Sequence, residues 1–523
     1  MMRGRIVTKL RYSFAACCSV FALAACGGDE IASPGAGGDI IINNPPSPTP
    51  TPTPTSGGSV TPAAGCPTIA ASGGLTNVGT ISGPTGEYRV CELPAVIDAD
   101  STLSYIDGLL YSLNGRVDIG TDQGPTSSGS DVELTIEPGV IVYGSTGRSF
   151  LIANRGNQLR ASGTADRPIV FTSRDNVLGL ANDNSIGQWG GVVLLGRAPV
   201  SDCRTGVFNN NGQNSDGSGP FVQANCEQEL EGTNTTTLFG GTNSADSSGT
   251  LEYVQIRYSG FSLAPGKELQ SLTTGGVGSG TTFNHFMSFN SSDDGMEFFG
   301  GRVNMAYVVA VGADDDTIDV DTGAQANMQY VIAAQRSGGG DNIIELDSPD
   351  GDFSTDADPQ TVLQVSNFTF IESSTANSQA VRARGGAKLT LVNGIIETDT
   401  ETCVRIDEAV TLAAMPIFNS VIGDCDAARP FRGDAGNSDA QVQARFDAGS
   451  NNDAAVSITL QNLFFANSVP AFDPTGLSAF FQTVNFIGAT SGANDTWYRN
   501  WTCNSGTLDL GSSTGSCTRL PVY

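Results

Sequence analysis

A repeat in the middle of the chain constrains the fold more than any other feature of the sequence. The segments 293–299 (DDGMEFF), 315–321 (DDTIDVD) and 341–347 (DNIIELD) share an acidic start followed by alternating apolar and polar residues. Matching acidic positions in the three segments are 22 and 26 residues apart. Repeats of this length are typical of solenoids, in which each unit packs only on its neighbours.

The alternation inside each unit indicates short β-strands, because a strand places successive side chains on opposite faces. The expected inward face is apolar and comprises Met296, Phe298, Ile318, Val320, Ile344 and Leu346. The expected outward face carries Glu297, Asp319 and Glu345 and points toward solvent. A second apolar strand recurs between the acidic units, at 305–311 and 328–334. Two or three strands per turn of roughly 23 residues predict an all-β fold, a right-handed parallel β-helix with N- and C-terminal caps and loop insertions.

Toward the C-terminus the repeat continues with bases in place of acids. Arg382 occupies the position of Glu345 after a step of 37 residues. If that step is one turn with an inserted loop, Arg382 and Arg384 come to lie beside Glu345 and Asp347. We expect such pairs to be largely structural.

The N-terminus carries a lipoprotein-type signal. A basic segment at 3–11 precedes a short, mostly apolar stretch at 12–22. The next residues, Leu23-Ala24-Ala25-Cys26, resemble the lipobox of bacterial lipoproteins, which implies removal of residues 1–25 and lipidation of Cys26. By the same resemblance, Gly27 implies sorting to the outer membrane. An ordinary signal peptide with a chance cysteine is the alternative.

The chain divides further into a tether and a folded part. Residues 26–65 contain no segment able to build a core, and their Pro-Thr tract favours extended polyproline II structure. We expect an N-terminal cap at 66–131, the parallel β-helix at 132–408, and further turns with a cap at 409–523.

The cysteines agree with an oxidising compartment. Eight of the 11 cysteines follow the lipobox and form neighbouring couples: Cys66 and Cys91, Cys203 and Cys226, Cys403 and Cys425, Cys503 and Cys517. An even number of cysteines outside the cytosol indicates disulfides, although sequence alone does not establish their connectivity. A metal site is the alternative, but no CxxC spacing supports it.

Six motifs between about 130 and 350 are specific as a series: LTIEPGVIVYG, GTADRPIVFTS, GQWGGVVLLGRAPV, LEYVQIRYSG, GGVGSGTTFNHF and DDGMEFFGG. The series resembles a large family of bacterial surface β-helix lipoproteins, mostly uncharacterised and often encoded near TonB-dependent receptors. The resemblance implies the fold and an outer-membrane location. It implies no activity, because the family has no well-established one.

Two polar insertions and one aromatic cluster interrupt or follow the repeat. The insertions at 201–247 and 347–359 are expected to project from one face, where solenoid loops often form binding surfaces. Plain connecting loops are the alternative. The cluster at 495–503 is predicted to close the last turn, with carbohydrate stacking by Trp497 and Trp501 as the alternative.

The recurring carboxylates suggest a metal site. Neighbouring strands lie about 4.8 Å apart, so like charges at matching positions repel unless a cation lies between them. Six carboxylates without an evident cationic partner form the candidate set: Asp293, Asp294, Glu297, Asp315, Asp316 and Asp319. Ca²⁺ is the candidate ion, since it takes about 6–8 oxygen ligands in flexible geometry. A solvated ladder of turn aspartates is the alternative.

An enzymatic role is the alternative to a binding role, because β-helices host pectate lyases and polygalacturonase-like hydrolases. In such a lyase Asp293 and Asp316 would hold Ca²⁺. Arg382 or Arg384 would then abstract a proton. The only histidine, His285, has aromatic neighbours and is expected to pack. Acids that recur on several turns favour an architectural role, and fold analogy alone is a weak argument for catalysis.

The net charge of the chain excludes two classes of partner. A net charge of −28 with only 26 Lys and Arg argues against nucleic acid and anionic membrane faces as partners, since both require basic patches. We therefore predict an outer-membrane-anchored lipoprotein whose acidic β-helix is a binding or accessory module. The expected partners are a glycan, a metal-associated ligand or a TonB-dependent receptor. A Ca²⁺-dependent polysaccharide lyase or glycoside hydrolase is the alternative function.

Overall fold

A computed structural model of the chain describes residues 60–126, 132–201, 226–231, 233, 237–262, 268–347, 359–374, 379–398, 400–511 and 513–523. The predicted signal peptide with Cys26 and most of the tether lie outside the described residues, as does Cys203. Within the described part of the chain, no helix is long and apolar enough to cross a membrane.

The described residues are mostly strands joined by tight turns. The strands are β1 (Thr76–Gly83), β2 (Gly86–Glu92), β3 (Val96–Ile97), β4 (Ser101–Leu103), β5 (Leu109–Leu113), β6 (Arg116–Ile119), β7 (Glu133–Ile136), β8 (Ile141–Gly144), β9 (Phe150–Ala153), β10 (Gln158–Ser162), β11 (Ile169–Ser173), β12 (Gly191–Leu195), β13 (Gln228–Glu229), β14 (Leu238–Phe239), β15 (Gly249–Arg257), β16 (Leu272–Gly275), β17 (Thr282–Phe289), β18 (Met296–Phe299), β19 (Arg302–Val311), β20 (Ile318–Asp321), β21 (Gln325–Ala334), β22 (Asn342–Leu346), β23 (Val362–Glu372), β24 (Gln379–Ala383), β25 (Lys388–Thr398), β26 (Thr402–Asp407), β27 (Ile417–Asp424) and β28 (Phe431–Asp434). The helices are α1 (Arg174–Leu178), α2 (Ala409–Ala413) and α3 (Asp439–Asp447), with a 3₁₀ turn at Pro474–Gly476.

Two long sheets enclose one apolar core. Sheet A has 15 strands and contains β15, β17, β19, β21, β23, β25 and β27 in that order. Sheet B has 11 strands and runs from β3 through β6, β9, β12, β16, β18, β20, β22, β24 and β26 to β28. From β15 to β28 the chain alternates between the sheets, and neighbouring strands within each sheet are parallel. The fold is therefore a parallel β-helix, as the repeat predicts.

Sheet A bends along one column of residues. Each of the seven sheet A strands from β15 to β27 has one residue with φ between 50° and 62° that is skipped in the pairing: Tyr253, His285, Tyr307, Tyr330, Asn367, Asn393 and Ser420. In earlier turns the two halves are separate strands, so that β10 pairs with the first half of β15 and β11 with its second half. Each turn consequently presents three flat faces.

The predicted inward face is confirmed. Met296, Phe298, Ile318 and Val320 are fully buried in the main core, with matching residues above and below them. Stacking of like positions at each turn buries a continuous apolar column, which is the main source of stability in a solenoid.

The solenoid begins earlier than the predicted boundary at residue 132. Strand β3 pairs in parallel with β6, and β6 pairs in parallel with β9. The segment 66–131 thus already contains turns of the β-helix, and its antiparallel pair β1–β2 lies at the end of sheet A. Strands β3 to β6 have only two to five residues, which is too short for a clear alternation in the sequence.

Helix α3, rather than the aromatic cluster at 495–503, covers the C-terminal end of the core. Phe446 of α3 packs against Phe418 and Phe431 of the last strands, at centroid distances of 5.3 and 4.9 Å. The predicted capping role of the cluster is therefore wrong.

The return segment, which we define as described residues 456–511 and 513–523, runs back along the bend of sheet A. Asn393 Nδ2 donates to the carbonyl of Phe472 (2.9 Å), and Asn367 Nδ2 donates to that of Phe486 (3.0 Å). Further along, the Tyr523 hydroxyl donates to the carbonyl of Pro168 (2.9 Å). The end of the described chain therefore lies near the first turns of the solenoid.

Three of the four predicted disulfides are confirmed. The structure contains Cys66–Cys91, Cys403–Cys425 and Cys503–Cys517. Cys226 is buried, and its predicted partner Cys203 lies outside the described residues.

Candidate metal centre

The acidic residues of the repeat form one column on the outward side of sheet B. Glu297 pairs in register with Asp319, and Asp319 pairs with Glu345. The next two strands place Arg382 and then Arg405 at the same position. Glu345 and Arg382 thus lie one turn of the solenoid apart, which is the condition on which their predicted pairing depends.

The acidic column points away from the core but is not solvated. Glu297 is 2% exposed, and Asp316 and Asp319 are each 1% exposed. The prediction that this face meets solvent is therefore wrong. Strand alternation determines which side chains leave the core, but it carries no information about what covers the outer surface.

Part of the first insertion packs on the outward side of sheet B in the turns before the acids. There Leu230 and Phe239 form an apolar cluster with Val193, Leu195 and Phe299. Glu231 follows directly in the insertion, and it is close enough to affect the titration of Glu297. The sequence gives no sign that Glu231 lies near Glu297, because the insertion has no repeat register.

The aspartates that precede the strands of sheet B accept hydrogen bonds from the next turn of the solenoid. Asp294 Oδ1 accepts a hydrogen bond from the backbone N–H of Asp316 (2.9 Å). Asp316 Oδ1 accepts from both the backbone N–H and the side-chain amide of Asn342 (2.7 Å each). One oxygen of each aspartate therefore has a structural role, in agreement with the hydrogen-bonding habit of turn aspartates.

Other carboxylate oxygens in and beside the column have no hydrogen-bond donor. Asp316 Oδ2 and Asp319 Oδ1 are buried without a hydrogen-bond partner. Across the described ranges, no ion pair joins Asp294, Glu297, Asp316 or Asp319 to a cationic side chain. A buried carboxylate oxygen without a partner is costly, because it loses its hydration and gains nothing in return.

Ligand atoms of these carboxylates converge in four overlapping triads, in each of which they lie within 4.8 Å of one another. Two buried triads share Asp319: Asp294 with Glu297 and Asp319, and Asp316 with Asp319 and Glu345. Two half-buried triads share Asp315: Asp293 with Asp294 and Asp315, and Asp315 with Asp316 and Asp341. All six residues of the predicted set thus lie together, and Asp341 and Glu345 join them. The predicted set excludes Glu345, because the sequence predicts that Arg382 and Arg384 pair with it.

Burial makes these carboxylates hard to ionise. Burial, followed by repulsion from neighbouring acids, raises the pKa values of Glu297, Asp316 and Asp319 well above their usual range. Burial likewise raises the pKa of Asp293 to about 8. In the folded state such groups must hold protons or share a cation, since several adjacent buried negative charges are not stable alone.

A comparison with protein families bears on this geometry. Residues 121–456 match the family described as the pectate-lyase like beta helix domain. The chain belongs to the pectate-lyase-like β-helix family. The match contains the whole acidic column and ends where the return segment begins. No curated protein and no solved structure gives a significant match.

In this member of the pectate-lyase-like family, two arginines form ion pairs with the last acids of the column. Arg382 Nη1 lies 2.9 Å from Glu345 Oε1, and Arg384 Nε lies 2.9 Å from Asp347 Oδ2. The predicted pairing is confirmed. Burial alone would lower the pKa of Arg382, but the carboxylates of Glu345 and Asp407 raise it above its usual value. A guanidinium held in this way is a poor base.

His285 is a packing residue in this member of the family, as predicted. Its ring is stacked between those of Tyr253 (4.2 Å) and Tyr307 (4.4 Å). Burial lowers its pKa to about 4, so the imidazole is neutral at physiological pH. Trp497 and Trp501 pack edge-on against the same ring, which places them in the middle of the solenoid.

Proposed function

We propose that the chain is a Ca²⁺-dependent binding module built on a parallel β-helix. One observation carries this proposal: Asp319 belongs to both buried triads, and its Oδ1 has no hydrogen-bond partner although the side chain is 1% exposed. A cation between the turns would give that oxygen a partner and would neutralise Glu297 and Asp319 together. Protonation of a neighbouring carboxyl would also place an O–H donor in the triad, so the Ca²⁺ titration described below distinguishes the two states.

The donor set favours Ca²⁺ over other divalent ions. The triads consist of carboxylates alone, without histidine or cysteine, and such hard oxygen ligands suit Ca²⁺, Mg²⁺ and Mn²⁺. Ca²⁺ accepts irregular geometry with about 6–8 oxygens, whereas Mg²⁺ requires a near-ideal octahedron and keeps several waters. A crowded column of carboxylates set by strand spacing fits the less demanding ion.

The half-buried triads suggest where a ligand would bind. Asp293, Asp315 and Asp341 are partly exposed, so an ion held by them would keep coordination positions open to solvent. A glycan or another oxygen-rich ligand could occupy those positions. This arrangement supports a metal-associated ligand, and a partner receptor in the outer membrane remains part of the proposal.

The proposed location rests on the N-terminal sequence. The lipobox-like residues ending at Cys26, followed by a Pro-Thr tract, support a lipid anchor in the outer membrane with the β-helix held away from the membrane. Radiolabelled palmitate incorporation into the chain, compared with a Cys26→Ser variant, tests this part. Equal labelling of both would contradict it.

A polysaccharide lyase or glycoside hydrolase is the second candidate function. Membership of the pectate-lyase-like family favours it, and the column supplies carboxylates for either chemistry. The ion-paired arginines speak against a lyase that uses Arg382 or Arg384 as its base. Incubation with polygalacturonate, with Ca²⁺ and with chelator, would reveal unsaturated products of a lyase or new reducing ends of a hydrolase.

Direct Ca²⁺ titration tests the main proposal. The chelator-treated protein should bind Ca²⁺ saturably by calorimetry, and binding should be lost in Asp319→Asn and strongly weakened in Asp316→Asn. Asp166→Asn is the matched control, because Asp166 is exposed and lies outside the triads. No Ca²⁺ binding by the unaltered chain, or equal binding by Asp319→Asn, would refute the proposal.

A further inference from the structure

A cavity of about 290 Å³ lies at the N-terminal end of the solenoid, where both ends of the described chain meet. Val60 and Thr61 contribute one part of its lining, and Pro521, Val522 and Tyr523 of the return segment contribute another. The volume is near the lower end of the range for small-molecule sites. The return segment thus completes a cavity that the first turns alone would leave open.

Two tyrosine rings from opposite ends of the chain form an aromatic wall. The rings of Tyr105 and Tyr523 meet edge to face at 6.1 Å. Gly139, from the LTIEPGVIVYG motif, lies against both rings and has φ of +87°. A Cβ at this position would lie 3.2 Å from the Tyr105 ring and 3.3 Å from the Tyr523 ring. A glycine at this position therefore lets both rings pack directly on the backbone.

The hydroxyls of the two tyrosines donate their hydrogen bonds within the protein. The Tyr105 hydroxyl donates to Asp107 Oδ1 (2.7 Å), and the Tyr523 hydroxyl donates to a backbone carbonyl outside the cavity. The hydroxyl protons of both tyrosines are thus already engaged, and both residues line the cavity. The exposed carboxylate of Asp107 lies at the rim as a hydrogen-bond acceptor, and Leu110 and Ile141 supply a buried apolar floor.

We propose that this cavity binds a neutral pyranose, such as the terminal unit of a glycan. A pyranose has apolar C–H surface for the rings of Tyr105 and Tyr523 and hydroxyl donors for Asp107. Asp107 and the net charge of −28 disfavour an acidic sugar. Arg167 is outside the cavity lining, and its guanidinium lies over the rings of both Tyr105 (4.8 Å) and Tyr523 (5.9 Å). The proposal does not depend on the metal centre.

Saturation-transfer NMR on the full folded chain tests this assignment, with methyl glycosides of glucose, galactose and mannose as probes. A single sugar unit in a small cavity should bind with a Kd on the order of 1 mM. Tyr105→Ala and Tyr523→Ala should each weaken binding about tenfold, because each removes one ring surface. Tyr105→Phe is the matched control and should keep binding within about twofold, since it retains the ring.

A variant that fills the cavity keeps the test decisive if an alanine variant fails to fold. Val522 is 53% exposed, so Val522→Trp should leave the fold intact and abolish binding by occupying the opening. Three outcomes would overturn the proposal. These are no binding of any of the glycosides at tens of millimolar, binding unchanged in Val522→Trp, or a preference for methyl glucuronide over methyl glucoside.

Discussion

Replacing Asp319 by asparagine should stabilise the metal-free protein, which is the opposite of what loss of a buried hydrogen-bonded group would do. Asp319 lies in register between Glu297 and Glu345, and neighbouring strands are about 4.8 Å apart. Two unit charges at that separation repel by about 3.5 kcal/mol at an effective dielectric constant of 20.

Two features of the structure reduce the expected gain. Arg382 and Arg384 compensate Glu345, so the main uncompensated neighbour of Asp319 in its own column is Glu297. Raised pKa values also leave part of the column protonated. We therefore expect Asp319→Asn to stabilise the chelator-treated protein by about 2 kcal/mol.

Ca²⁺ should reverse the order of the two proteins. At a free concentration of about 100 times Kd, the ion should stabilise the unaltered chain by about 2.7 kcal/mol and the variant not at all. For a folded part of this size, about 1 kcal/mol corresponds to roughly 1 °C in Tm. Differential scanning calorimetry at pH 8 should thus show the variant about 2 °C higher in chelator and slightly lower in Ca²⁺.

The refuting results are specific. An Asp319→Asn variant that melts below the unaltered chain in chelator would show that the carboxylate is stabilising without a metal. A variant that keeps the full Ca²⁺ shift would place the ion elsewhere. Asp166→Asn, the exposed control, should melt like the unaltered chain in both buffers.

Three further predictions concern residues around the column and the bend. Burial raises the pKa of Glu372 from 4.5 to about 7, so its contribution to stability is present below about pH 4.5 and is lost as pH rises to about 7. Between pH 4.5 and 7, the free energy of unfolding in urea should fall by about 3 kcal/mol less for Glu372→Gln than for the unaltered chain. The same dependence of the unfolding free energy on pH in both proteins would contradict this. The side chain of Asn393 hydrogen-bonds both the N–H and the C=O of Phe472, and Asn393 itself has φ of 57°. Asn393→Ala should therefore lower the free energy of unfolding by about 3 kcal/mol. Asn393→Gly should lower it by about 1 kcal/mol less, because glycine adopts positive φ without strain. Identical unfolding free energies for those two variants would argue against backbone strain at the bend. Gly394→Ala would place a Cβ 1.8 Å from Phe368 Cζ and should lower the free energy of unfolding in urea by about 3 kcal/mol. The loss should be smaller when Phe368 is also replaced by leucine. An equal loss in that double variant would contradict the clash.

The acidic column could be predicted from the sequence because its information is local and repeated. Strand alternation places Glu297 and Asp319 on the side away from the core, and the constant step places them at the same height on successive turns. The same two features of the repeat predict the pairing of Arg382 with Glu345 across a 37-residue step. Burial of the column could not be predicted, because it depends on which segments pack on the outer face of sheet B, and an insertion has no repeat from which to derive its position.

The bend of sheet A shows a second limit, and it explains the course of the return segment. A non-glycine residue with positive φ costs about 1–2 kcal/mol, and the bend contains one such residue in every sheet A strand from β15 to β27. In the earlier turns Tyr253, His285 and Tyr307 offset this cost by stacking on one another. In the later turns Asn367 and Asn393 offset it by hydrogen bonds to the return segment. Neither residue type stands out inside an apolar strand sequence, so the bend is invisible to periodicity. The bend also helps to position the return segment, because the amides of Asn367 and Asn393 hydrogen-bond its backbone in addition to partners within the solenoid.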